Sequence, residues 1–251
     1  MKNHFKHYKN KFVWIIGASE GIGKALVFKL DQLGAKLILS SRNESKLYHL
    51  GQSLSQSPHV VPFDVSNLVD FQHKANDIFQ QYNLDYIVYL PAFYEPSRLN
   101  NLDFEMVAKT IDINLKSVFY LIGITLPYIK QHSELTLGIT ASIAGYMGLA
   151  NAQPYGATKA AVINLIESFK LEYPAYGIKL INPGFVKTQL TDKNKFKMPA
   201  IISAEKAADY ILRGLIAKDF EIHFPKRFTF LLKCIQKTPY WLYFKLLNKI
   251  K

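Results

Sequence analysis

At 251 residues, with 49% hydrophobic and 20% charged side chains, the chain has the length and balance of one large α/β domain with a sizeable core. Its single cysteine, Cys234, excludes an intramolecular disulfide framework and fits a reducing compartment, and no Cys/His cluster has the spacing of a zinc site. The net charge of +12 sits at the ends: residues 1–11 carry four lysines and residues 224–251 carry seven Lys or Arg, both without an acid, and the nearly neutral middle argues against a nucleic-acid-binding core.

The first 11 residues hold no apolar run ahead of the first strand, so they read as a basic leader and not as a signal peptide. Nor does any stretch reach the roughly 18 uninterrupted apolar residues that a membrane-crossing helix needs. A cytoplasmic protein is the expectation. Beyond the leader, short apolar runs alternate with helical patterns. Strands are expected at 12–16 (FVWII), 36–40 (KLILS), 59–63 (HVVPF), 84–90 (LDYIVYL), 135–142 (LTLGITAS), 178–182 (IKLIN) and 220–224 (FEIHF). Most are apolar throughout, as parallel strands covered on both faces are. Helices are expected near 21–33, 44–55, 67–82, 103–131, 155–173 and 203–217, with Asp103 and Ser203 as N-caps. This alternation implies a Rossmann-like, doubly wound α/β fold, a seven-stranded parallel sheet with helices on both faces. The domain runs from 12 to 224, and a basic C-terminal amphipathic helical arm occupies 225–251.

The first strand runs directly into GASEGIGKALVFKL, where Gly17, Gly21 and Gly23 are interleaved with Ser19, Glu20 and Ile22. A glycine turn between a strand and an amphipathic helix brings backbone N–H groups to a pyrophosphate at the helix N-terminus, which favours dinucleotide binding over a merely tight connection. Further along, in PYGATKAA (154–161), Tyr155 and Lys159 stand one helical turn apart. That spacing puts any two side chains on one face, so alone it fits a reaction centre or an ordinary buried turn.

Six motifs then occur in a fixed order: GASEGIG, FDV (63–65), INLKS (113–117), ASIAGYMG (141–148), PYGATKAA and NPGFVKT (182–188). On these residues the sequence resembles a short-chain dehydrogenase/reductase of the single-domain branch, over roughly residues 12–224. Ser142 lies 13 residues before Tyr155 and Lys159 four after it, as in that family. The resemblance implies a nicotinamide cofactor, held by the glycine turn, with Asp64 and Val65 at the adenine. Pro183, Gly184, Val186 and Thr188 would line the nicotinamide carboxamide, and Ala92 would lie near the cofactor at the end of the fourth strand. NAD-preferring relatives carry an acid after the second strand. Here Ser41 stands there and Arg42 follows, with a planar donor fork suited to a 2′-phosphate, so NADP(H) is expected over NAD(H). Glu20 occupies a position where relatives often carry a second basic residue.

A free tyrosine has a pKa of about 10, and a nearby lysine ammonium lowers it by stabilising the phenolate. Tyr155 would then protonate an alkoxide in reduction and deprotonate an alcohol in oxidation, while Ser142 holds the substrate oxygen. By resemblance, Lys159 also holds the nicotinamide ribose, and Asn114 maintains a water-linked proton path. The expected reaction is hydride transfer between NADP(H) and a hydrophobic carbonyl or secondary alcohol. Phe93, Tyr94, Tyr146, Met147, Leu149 and Phe185 are the side chains expected to face it, and residues 189–200 resemble the family's mobile lid. No metal and no nucleic-acid partner is expected.

One stretch departs from the family. Where relatives read Asn-Asn-Ala-Gly, this chain reads YLPA: Tyr89 and Leu90 replace two amides, Pro91 cannot donate, and Ala92 replaces a glycine. Either the local hydrogen bonds are rebuilt around a working enzyme, or the chain is a catalytically silent NADP-binding regulator or membrane-recruited scaffold. In the arm, Phe228, Leu231, Leu232 and Ile235 form one apolar stripe, and Tyr240, Tyr243, Phe244, Leu247 and Ile250 a second, with Lys245 and Lys249 beside it. Such helices suit the anionic inner face of a membrane, a pocket lid, or an interface in a homodimer or homotetramer.

Overall fold

Seven strands, β1 (Phe12–Ile16), β2 (Lys36–Ser40), β3 (His59–Val60), β4 (Tyr86–Tyr89), β5 (Thr136–Thr140), β6 (Gly177–Pro183) and β7 (Glu221–Phe224), form one sheet. Every ladder is parallel, in the order β3-β2-β1-β4-β5-β6-β7. The structure is a computed structural model in which residues 7–194 and 196–247 are described. The strand order reverses between β1 and β4, and in such sheets ligands bind at the carboxyl ends beside that switch point.

The helices are α1 (Gly21–Gln32), α2 (Glu44–Gln52), α3 (Leu68–Gln81), α4 (Phe104–Ile111), α5 (Ser117–Gln131), α6 (Tyr155–Glu172), α7 (Ala204–Ile216), α8 (Lys226–Gln236) and α9 (Tyr240–Leu247). Strand alternation splits the core into two layers. Trp14, Ile16, Ile87 and Ile139 pack with α3, α5 and α6 on one face, and Val13, Ile15, Leu39 and Val88 pack with α1, α2 and α7 on the other. Trp14 is fully buried and its Nε1–H donates to Ser40 Oγ at 2.9 Å. Truncating such a ring to alanine typically costs about 3–5 kcal/mol. Asn43, Asn67, Asp103 and Ser203 each accept from a first-turn N–H of the helix that follows, two of them the expected caps.

Two elements differ from the sequence expectation. The third strand is only His59–Val60, although the Val61 and Phe63 N–H groups still reach Leu39 O and Ser41 O. Pro62 interrupts it, because proline has no N–H to give the ladder. The long helix expected over 103–131 is divided between α4 and α5 by one π-helical turn, Asp112–Lys116, with Asn114 buried inside it. Residues 7–11 are not a free leader. Tyr8 is fully buried with its hydroxyl on Leu212 O at 2.5 Å, and Lys11 pairs with Asp85 at 2.7 Å. Residues 1–6 of the expected leader lie outside the described residues.

Candidate active site

The glycine turn has the shape of a cradle. Gly17 and Gly21 adopt φ of +88° and +53°, the left-handed region that favours glycine. Gly23 is constrained by contact: a Cβ there would lie 2.0 Å from Gly17 O and 2.9 Å from Gly17 C, both backbone atoms. Ser19, Glu20 and Ile22 complete the turn, and no side chain caps the first turn of α1. Its leading N–H groups therefore lack intrahelical partners, as an anion site requires. The Thr188 methyl stands 3.1 Å from the Cβ position of Gly21, so the segment after β6 meets the turn from the other side of the crevice. In that segment Val186 is buried and its carbonyl accepts from Thr191, while the Gly184 N–H donates to Phe224 O at 2.7 Å directly after Pro183.

A cleft of about 410 Å³ opens nearby, with Arg42 and Asp64 on its wall together with Lys109 and Asp112. Ser66 fixes the Asp64 carboxylate by donating from both its N–H and its hydroxyl, at 2.9 and 2.7 Å. Val65 is buried beside it, and Ser41 at the end of β2 is half-exposed. The unexpected acid of the turn, Glu20, forms an ion pair with Lys46 of α2, so its charge is balanced by a second cation in the same region as Arg42. Cradle and uncapped helix together fit a nicotinamide dinucleotide, which Gly17, Gly21, Gly23, Arg42 and Asp64 would hold.

The departure at Tyr89–Ala92 is internally compensated. Tyr89 is buried, its hydroxyl donates to Ser117 Oγ at 2.6 Å, and Ser117 donates to Ile113 O at 2.5 Å in the π turn. The Leu90 N–H completes the ladder to Ile16 O, so Pro91 falls after the last required donor. Pro91 N and Leu90 C lie 3.1 and 3.2 Å from the Cβ position of Gly17, which places this strand end against the cradle, with half-buried Ala92 next in the chain. Asn114 holds the following loop at both backbone polar groups of one residue: Oδ1 accepts from Phe93 N at 2.7 Å and Nδ2 donates to Phe93 O at 2.8 Å. The same Nδ2 reaches Thr158 Oγ1 at 3.3 Å, and Thr158 donates to Tyr155 O at 2.7 Å. Thr158 was not among the residues expected from sequence.

Ser142, Tyr155 and Lys159 meet at the carboxyl end of β5. Ser142 leads a short 3-10 turn and accepts from Ala144 N at 3.1 Å. Gly145 in that turn lets it lie against α6, since a Cβ there would come within 2.6 Å of Lys159 C. Lys159 is only 1% exposed, which rules out a surface lysine, and its Nζ donates to Thr140 O at 3.1 Å while standing 5.7 Å from the Tyr155 ring centre. Burial holds its ammonium down to about 8. Burial also pushes the Tyr155 phenol up to about 12, with the Ser142 hydroxyl pulling it down and the Tyr94 phenol adding to the rise. The direction is opposite to the lowering expected from Lys159, because burial penalises the charged phenolate.

Tyr94 covers the centre, its ring edge-on to Tyr155 at 5.0 Å and its hydroxyl donating to Asn194 Oδ1 at 2.7 Å. Lys193 ties the same loops together through Tyr94 O at 3.0 Å and Glu95 at 2.6 Å. On the far side, Tyr146 and Asn182 both donate to Glu221, which also pairs with Lys233 of α8. Burial pushes the Glu221 carboxyl up, but the bonds from Lys233, Tyr146 and Asn182 outweigh it and hold it below the ordinary range. Leu232 packs on Ile143 and Tyr146, with Met147, Phe185 and Phe228 around them.

Residues 11–198 match the short chain dehydrogenase family. An uncharacterized oxidoreductase of Staphylococcus epidermidis is 32% identical over 212 residues, 82% of this chain and 91% of its own. One of Staphylococcus aureus is 32% identical over 186 residues, 72% of this chain and 80% of its own. Among solved structures, a short chain dehydrogenase from Burkholderia cenocepacia in complex with NADP superposes with a TM-score of 0.81 at 19% identity, over 96% of this chain and 98% of that one. ElxO with NADP bound gives 0.75 at 22% identity, over 85% and 97%.

Proposed function

The chain belongs to the short chain dehydrogenase family of NAD(P)-dependent oxidoreductases, and from that premise we propose that it transfers hydride between NADP(H) and a hydrophobic carbonyl or secondary alcohol. The observation that carries this reading is the meeting of Ser142, Tyr155 and buried Lys159 at the carboxyl end of β5, one strand from the switch point where the glycine cradle lies.

The nicotinamide, when bound, supplies or accepts the hydride. Tyr155 carries the proton. With its phenol up at about 12 it is protonated at neutral pH and ready to donate to a nascent alkoxide. The Ser142 hydroxyl, beside the phenol, holds the substrate oxygen in line for that donation. Lys159 keeps most of its positive charge at pH 7 and favours the phenolate once the proton has left. Asn114 acts at one remove: it fixes the Phe93 backbone and, through Thr158, the first turn of α6 that presents Tyr155. The half-buried rings of Phe93, Tyr94 and Phe185 line the approach with apolar surface, which suits a hydrophobic substrate. No observation favours a silent regulator, since all three chemical groups are present and the YLPA stretch is compensated.

The reading is tested by NADPH consumption across carbonyl compounds graded by chain length and ring content. Turnover should rise with apolar size, and complete silence with the cofactor bound would favour the regulator instead. Arg42→Ala and Lys46→Ala should each raise KM for NADPH by about 10- to 100-fold, the worth of one charge-assisted bond, and leave KM for NADH within about threefold. Wild-type efficiency equal for both cofactors would remove the NADP preference.

A further inference from the structure

The two faces of the arm have different employment. Inward, Thr229, Leu232, Ile235 and Tyr243 are buried, Phe228 lies 6.0 Å from Phe185 between ring centres, and the Tyr243 hydroxyl donates to Gly148 O at 2.6 Å. The arm is thus a wall beside the segment that follows Ser142. Outward, Phe230 is 67% exposed, Leu231 55%, Tyr240 79%, Trp241 70% and Phe244 57%. Single exposed apolar residues are ordinary on a soluble surface, but five large ones within 15 residues of one helical hairpin are not. Lys226, Arg227, Lys237 and Lys245 are exposed around them, and residues 225–247 contain no Asp or Glu.

This distribution differs from the sequence expectation in one respect. Of the expected stripes, Leu232, Ile235 and Tyr243 turn inward and only Leu231, Tyr240 and Phe244 are exposed, while Phe230 and Trp241 join the outer face. Ile250 and Lys249 lie outside the described residues.

We propose that the outer face of α8 and α9 seats the protein on an anionic lipid surface. Aromatic rings with a polar edge, aliphatic side chains and flanking cations without acids are the composition that binds at the headgroup boundary of such a bilayer. The charge pattern selects lipid over a second copy. Two arms packed about a two-fold axis would bring cation against cation, whereas phosphate headgroups complement them. No helix among the described residues is long and apolar enough to cross a membrane, so the contact is peripheral. Resting on the proposed function, the consequence is that the carbonyl substrate is drawn from that surface, because the arm's inner face borders the catalytic serine segment.

The test uses the full chain and vesicles of phosphatidylcholine with about one-third phosphatidylglycerol, against pure phosphatidylcholine. Sedimentation should show binding to the anionic vesicles at least about 100-fold tighter, as several cations near the surface imply, and loosened by high salt. Phe230→Ser with Trp241→Ser, and separately Lys237→Glu with Lys245→Glu, should each lose most of that binding while keeping the thermal midpoint and NADPH oxidation with a water-soluble aldehyde. Equal binding to both vesicle types, or variants that bind as the wild type does, would overturn the proposal. So would analytical ultracentrifugation showing that Phe230→Ser with Trp241→Ser splits a dimer and leaves vesicle binding unchanged. Vesicle binding without turnover of any aldehyde would support the lipid surface and count against the oxidoreductase reading alone.

Discussion

Tyr155→Phe should bind NADPH within about threefold of the wild type and lose carbonyl reduction by about 10²- to 10⁴-fold, the usual worth of a positioned general acid. The ring itself is retained, so its edge contact with Tyr94 and the Thr158 bond to its backbone carbonyl survive. What is removed is the proton. The pH dependence follows from the sign of the shift. A phenol raised to about 12 stays protonated through neutral pH, so reduction, which needs the donor, should hold level there. Alcohol oxidation needs the deprotonated phenol and should climb about tenfold per pH unit up to about pH 8, above which Lys159 loses the charge that favours the phenolate and the climb flattens. Initial rates in both directions between about pH 6 and 9 check this. Turnover by Tyr155→Phe near the wild-type rate, or reduction that collapses as the pH falls towards 6, would take Tyr155 out of the proton's path.

The second large effect is expected at a residue with no chemistry. Gly23→Ala should weaken NADPH binding by about 100-fold or more and lower the thermal midpoint. Its added methyl would sit 2.0 Å from Gly17 O, and all three nearest atoms belong to backbone, so no rotamer relieves the clash. The turn or α1 must move, at a cost of about 1–3 kcal/mol in overpacking, and Gly17 cannot follow freely because the Leu90–Pro91 strand end lies against it. Gly123→Ala is the control. Nothing lies within 4 Å of its Cβ position on α5, so it should be neutral or slightly stabilising. Fluorescence titration of NADPH against both variants decides: if Gly23→Ala binds as well as Gly123→Ala, the cradle does not hold the cofactor.

The frame was readable in the sequence where local signals agree. β1 and β2 run as expected because their apolar runs are continuous, and the Asp103 and Ser203 caps mark their helices by hydrogen-bonding chemistry alone. The π turn was not readable. Residues 113–129 are apolar on nearly every side, so one extra residue in a turn leaves no break in any periodicity. The Glu20–Lys46 pair joins separate elements 26 residues apart, beyond any local pattern. Burial of Lys159 was equally hidden, since a lysine on an amphipathic helix ordinarily points to water. The arm shows a different limit. Periodicity tells which residues share a face of a helix; it does not tell which face turns inward when both carry large apolar side chains.

The carboxylate of Glu221 gives the arm a meaning in heredity. It is gripped from three sides, by Tyr146 in the segment after Ser142, by Asn182 on β6 and by Lys233 on α8. A relative's tail grafted after β7 without a cation at position 233 would leave this partly buried acid with two neutral donors and no counter-charge. Tail and body should therefore be inherited as one unit across residue 224, and a change at any of the three grips should be met by compensation at the others. Lineages that exchange one tail for another should show this as coordinated replacement among 146, 182, 221 and 233, visible wherever enough related sequences are compared.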